Sequence, residues 1–97
     1  MQERFPSGIV LITPGAVQSL QQVAGRRYLH LASKLIARHQ SGDWGEICAE
    51  DAVENEQSVR HGMRILSVYD LPADGGRIWI ITEADRSATT LLRPEEY

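Results

Sequence analysis

The stretch that most restricts how this chain can fold is residues 77–97, RIWIITEADRSATTLLRPEEY. Side chains alternate along a strand, so Ile78, Ile80 and Thr82 take one face and Trp79, Ile81 and Glu83 the other. Apolar residues therefore fall on both faces. Such a strand sits inside its sheet or is covered on both sides. The rest of the chain is expected to be built against it.

Ninety-seven residues make one domain, 1–97, with one modest core. A hydrophobic share of 42% and a charged share of 24% are ordinary for a soluble globular protein. No apolar run approaches the roughly 18 residues of a membrane helix, so no membrane partner is expected. Residues 8–12 are too short for a signal-peptide core. Cys48 stands alone, which excludes an internal disulfide and a multi-cysteine zinc site. A reducing cytoplasm fits that usage.

Residues 1–7 read as a loose lead-in ending in Phe5-Pro6. Residues 8–12, GIVLI, form a candidate edge strand. Thr13-Pro14 is a helix start, because the hydroxyl can cap an orphan amide and proline suits the first helical position. Tyr28, Leu31, Ala32, Leu35 and Ile36 make the cleanest helical stripe, ended by Ser41-Gly42. A third helix is expected from about Cys48–Glu50 to Arg60 or His61, stopped by Gly62, with its first part acidic. Its apolar stripe, Ala49, Ala52, Val53 and Val59, is thin, which places it at the surface.

Residues 64–71, 77–83 and 88–93 read as strands joined by an Asp74-Gly75-Gly76 hairpin and a tight turn at residues 84–87. The expected fold class is α+β: a three- or four-stranded antiparallel sheet with two or three helices packed mainly on one face.

The net charge of −3 conceals an asymmetry. Residues 1–42 hold five bases against one acid, and residues 43–97 hold five bases against twelve acids. Such a split can orient a partner or a second copy. The acidic balance, with no basic stripe interleaved with aromatics, argues against nucleic acid as the main partner.

Few residues carry chemistry. His30 and His39 are nine apart, on opposite sides of one helix, so they cannot share a metal. No metal or cofactor is expected, because the sequence holds none of the known zinc, dinucleotide, phosphate-loop or serine-hydrolase signatures. His39 extends the apolar stripe, where packed core histidines are the commoner case. Asp43 and Trp44 lie in a glycine-flanked loop, where the indole either plugs the core or anchors a partner. Thr82, Glu83, Asp85 and Arg86 crowd one corner of the sheet. There Asp85 can accept turn amides and Arg86 can pair locally, or Arg86 with Thr89 and His39 can face a phosphodiester.

The segments ITPGA (12–16), ARHQSGDWG (37–45), the Glu54-Asn55 region and residues 78–97 resemble a family of small bacterial plasmid-related proteins of about this length. The resemblance implies a bacterial cytosolic protein linked to mobile elements. It supplies no catalytic residues.

Three functions follow as expectations. The first is a non-enzymatic accessory protein of a mobile element, anti-defence or regulatory. It would bind a host or mobile-element protein through its acidic half, with Asp43, Trp44, Glu83, Asp85 and Arg86 as contact residues. The second is a small metal-independent ribonuclease of the toxin type, in which His39, Arg86 and Thr89 converge in a concave site. The third is a self-associating domain, a homodimer paired along an exposed strand at residues 88–93.

Overall fold

A computed structural model of the chain describes residues 2–97. It runs β1 (Ile9–Ile12), α1 (Pro14–Ala24), α2 (Tyr28–Ser41), α3 (Ala49–His61), β2 (Ile65–Leu71), β3 (Gly76–Thr82) and β4 (Ala88–Leu92). Short 3-10 turns occupy Gly25–Arg27 and Pro94–Glu96. The helix ends follow the local chemistry. Thr13 Oγ1 accepts the Ala16 amide at 3.1 Å, with Pro14 opening α1. Gly42 and Gly62 close α2 and α3 in left-handed conformations that a side chain resists. Glu50 and Asp51 stand in the first turn of α3, where acids complement the helix dipole.

The strands form one sheet in the order β1-β4-β3-β2. β2, β3 and β4 make the antiparallel meander, and β3 lies inside the sheet as its two-sided apolar pattern requires. Two details differ from the expectation. β1 pairs with β4 in parallel, so the sheet is mixed. β4 is interior, flanked by β1 and β3, so residues 88–93 are not an exposed edge.

The parallel direction has a physical cause at one end of the sheet. Glu96 accepts from the Thr13 hydroxyl (2.6 Å) and the Gly15 amide (3.1 Å), and Arg93 Nε donates to Ser19 Oγ (2.7 Å). These bonds tie the exits of β1 and β4 together. Nothing in the local sequence of either strand encodes that pairing.

α1 and α2 pack on one face. Ala16 and Leu20 of α1 and Ala32 and Leu35 of α2 meet Tyr69, Ile78, Ile80 and Leu91. Burying each of these large aliphatic side chains contributes about 1.5–3 kcal/mol. Trp79 lies on the opposite face, half-buried, with the Tyr97 ring 5.6 Å away. The helix layer therefore roofs Ile78 and Ile80 but not Trp79 or Ile81.

A second cluster of Phe5, Trp44 and Ile65, with Ile47, Ala52 and Val59 against it, fills the corner between α3 and β2. This overturns the loose lead-in from Arg4 onward. Phe5 is buried, its carbonyl accepts from Gln40 at 2.9 Å, and Arg4 clasps Glu56 with both terminal nitrogens. A chain this small has few large apolar residues, so its only phenylalanine goes to the core.

The outer rim of β2 is closed at Leu66 and Val68. The Asn55 carboxamide donates to the Leu66 carbonyl (2.7 Å) and accepts the Leu66 amide (3.2 Å), as a neighbouring strand would. The Val68 amide donates to the Trp44 carbonyl (3.0 Å), and the Glu46 amide donates to the Val68 carbonyl (2.6 Å). Gly45 permits this approach, because a side chain there would collide with the Val68 carbonyl.

Candidate functional site

His39 leaves α2 directly into a polar seam across the core. Its Nδ1 lies 2.5 Å from Ser67 Oγ and its Nε2 2.9 Å from Thr82 Oγ1. Thr82 Oγ1 lies 2.7 Å from Thr89 Oγ1, and Thr89 donates to the Ser7 carbonyl at 2.7 Å. Counting donors orients the whole chain. The Ser7 carbonyl can only accept, so the single Thr89 proton goes there. Thr82 must then donate to Thr89, and His39 Nε2–H to Thr82. Nδ1 is left as the acceptor of the Ser67 proton. His39 is a neutral Nε2–H imidazole with both nitrogens occupied.

Its surroundings reinforce that state. The ring is fully buried, edge-on to Phe5 at 5.2 Å and to Trp44 at 6.1 Å. Burial, with the nearby Arg86 cation adding to it, pushes its pKa down to about 3. A sealed imidazole that stays neutral across the physiological range cannot pass a proton to a substrate.

Arg86 is equally committed. Its guanidinium donates to the carbonyls of Met63 (2.7 Å), Glu83 (3.1 Å) and Ser58 (2.8 Å) and lies 5.6 Å from the Phe5 ring centroid. Two of those carbonyls lie in the last turn of α3 and two residues past its end, where a cation is favoured, and the Ser58 carbonyl also accepts the Gly62 and Met63 amides. Arg86 thus fastens α3 to the β3–β4 turn. Thr89 is completely buried. His39, Arg86 and Thr89 are neighbours joined through Phe5 and Thr82, but they line no open site.

The other candidates divide between core and surface. Trp44 is 6% exposed and stacks on Phe5, so it plugs the core and offers no anchor. Asp43 is held by Arg38 (2.7 Å), which lowers its pKa, and its carbonyl accepts the Tyr69 hydroxyl at 2.5 Å. Burial in turn raises Tyr69 to about 12. Glu83 and Asp85 are exposed, with Asp85 accepting the Ser87 amide at 2.9 Å in a tight turn. Of the five proposed contact residues, Asp43, Glu83 and Asp85 reach solvent freely, Arg86 does so in part, and Trp44 does not.

The surface sites that periodicity missed are apolar. Val53 and Met63 are 60% and 49% exposed beside a groove of about 480 Å³ lined with Glu54, Gln57, Ser58 and Arg64. A smaller groove continues past Asp51, Glu54 and Asn55 to Leu66. Val53 belongs to the apolar stripe of its helix by spacing, yet it faces solvent. Ala52 and Val59 of that stripe do pack inward, but the most buried positions of α3 are Asn55 and Ser58, and Asn55 meets the polar backbone of β2. An asparagine three residues after Ala52 and three before Ser58 was the available signal.

No helix among the described residues is long and apolar enough to cross a membrane. Comparison with family models, curated proteins and solved structures found no match to this chain.

Proposed function

We propose that this protein is a non-enzymatic binding module that docks a basic, apolar-anchored protein segment on α3. The observation that carries this reading is the Val53/Met63 groove. Two exposed apolar side chains flank a concave surface that bears Glu54, and Asp51 lines the smaller groove that adjoins it. An apolar anchor in a groove with complementary charge at its rim is a common mode of peptide recognition. The seam that would have served catalysis is spent on structure, which weighs against the ribonuclease reading. Together with the resemblance to plasmid-related proteins, this points to an accessory role for a mobile element, with a host or element-encoded protein as partner.

The test is a fluorescence-anisotropy titration with a labelled amphipathic lysine–leucine peptide, run beside cross-linking capture of partners from bacterial lysate. Peptide binding that weakens with salt and falls at least tenfold in Val53→Asp supports the reading, as does loss of the captured partner in that variant. Capture indifferent to Val53→Asp and Met63→Asp, or RNA cleavage abolished by Arg86→Ala, sinks it.

A further inference from the structure

We infer that β1 is a self-association edge, through which two copies join their sheets by antiparallel β1–β1 pairing. This surface lies at the opposite rim from the α3 groove and does not depend on the docking reading.

The backbone geometry comes first. The Ile9 amide donates to the Ser87 carbonyl and the Thr13 amide to the Leu91 carbonyl, both at 3.0 Å. Alternation along the strand then directs Ile9, Leu11 and Thr13 toward β4 and turns the N–H and C=O groups of Val10 and Ile12 outward. β1 is the last strand of the sheet, so these four groups face no further strand. The side chains add to this. Ile9, Val10 and Leu11 are 68%, 41% and 50% exposed. The strand carries no charge, proline or bulge, the usual protections of a free edge.

The occupant follows from shape and charge. Beside Val10 lies a groove of about 310 Å³, lined also by Glu3, Ser33, Ile36, Ala37 and Gln40. A strand added at this edge sends every second side chain into that groove, and small residues at 33 and 37 leave room for them. With a twofold axis at Leu11, Val10 faces Ile12 of the second copy, and Ile12 faces its Val10. Each pair exchanges two backbone hydrogen bonds, which uses all the outward groups. The same register sends Val10 and Ile12 of the second copy toward the groove.

An uncharged strand meets its own copy without opposing like charges, whereas a charged peptide finds no countercharge on β1. The acidic helix α3 sits at the far rim, beside β2, so its four carboxylates stay away from the axis. Four residues alone fall short of the roughly 1,200 Å² of a standard interface. The α2 groove must therefore share the contact, and the dimer is reversible.

Sedimentation equilibrium across a concentration series tests this. The wild type should move from 10.8 kDa toward twice that mass as concentration rises. Leu11→Lys, a surface change, and Val10→Pro, which removes an outward donor, should stay monomeric with unchanged circular dichroism. In a Cys48→Ser background, Leu11→Cys should oxidise to a covalent dimer, because the twofold brings the two positions to about 4.5 Å between Cα atoms. Val53→Cys should not. A wild type still monomeric near ~1 mM, where even a dissociation constant of that size would show, overturns the inference. So does a dimer that survives Leu11→Lys.

Discussion

The two rims of the sheet are finished in opposite ways. At β2, a buried asparagine side chain and a loop backbone occupy the outward groups of Leu66 and Val68. At β1, Val10 and Ile12 present the same kinds of group beside exposed aliphatic side chains. The fold thus possesses the means to close an edge and applies them at one end only. Closing β2 required α3, the residue 42–45 loop and the Phe5 strap to converge on one corner. That closure buries polar groups that must be matched, and among the described residues no buried side-chain nitrogen or oxygen lacks a partner.

This contrast can be broken or sharpened by measurement. Trp44→Ala removes the plug beneath the closed rim and should destabilise the fold by about 3–5 kcal/mol, read from urea unfolding. A loss below about 1 kcal/mol would mean the corner does not support β2.

Asn55→Ala should cost about 2–3 kcal/mol, because it strands both the amide and the carbonyl of Leu66. Amide exchange at Leu66 should accelerate in step, and protection unchanged from wild type would show that the rim is closed by something else.

Acidification probes the seam behind the same rim. The pKa of folded His39, near 3, lies below its ordinary 6.5. Between these values the unfolded chain takes up a proton that the folded chain refuses, so this contribution is full above pH 6.5 and shrinks as pH falls. From pH 6.5 to 5, above the ordinary carboxylate range, stability should drop by about 2 kcal/mol, at up to ~1.4 kcal/mol per unit. His39→Gln should flatten that slope, and an equal slope in the variant would assign it to another group.

The smallest effect belongs to the open rim. Leu11→Lys should alter monomer stability by no more than about 0.5 kcal/mol, as surface changes usually do. A larger loss would show that β1 is already part of the monomer's packing.

Local elements were readable from the residues because their signals span one or two turns. The alternation of Ile78, Ile80 and Thr82, the stripe from Tyr28 to Ile36, the Thr13-Pro14 start and the Gly42 and Gly62 stops all rest on near neighbours. The place of His39 on the stripe points inward, and the ring is buried. The seam it enters was not legible, because Ser67 and Thr82 lie 28 and 43 residues away. Local pairing of Arg86 is legible in the sequence, but its three actual acceptors are not, because they are backbone carbonyls, which every sequence offers alike.

By itself the sequence determined that an inner, two-sided strand would be roofed by an amphipathic helix, since side-chain periodicity and capping act within a few residues. Only the tertiary structure decided that β1 runs parallel to β4, that Asn55 closes one rim and that the other stays open. Those outcomes turn on partners 11 to 83 residues apart, which chain topology brings together.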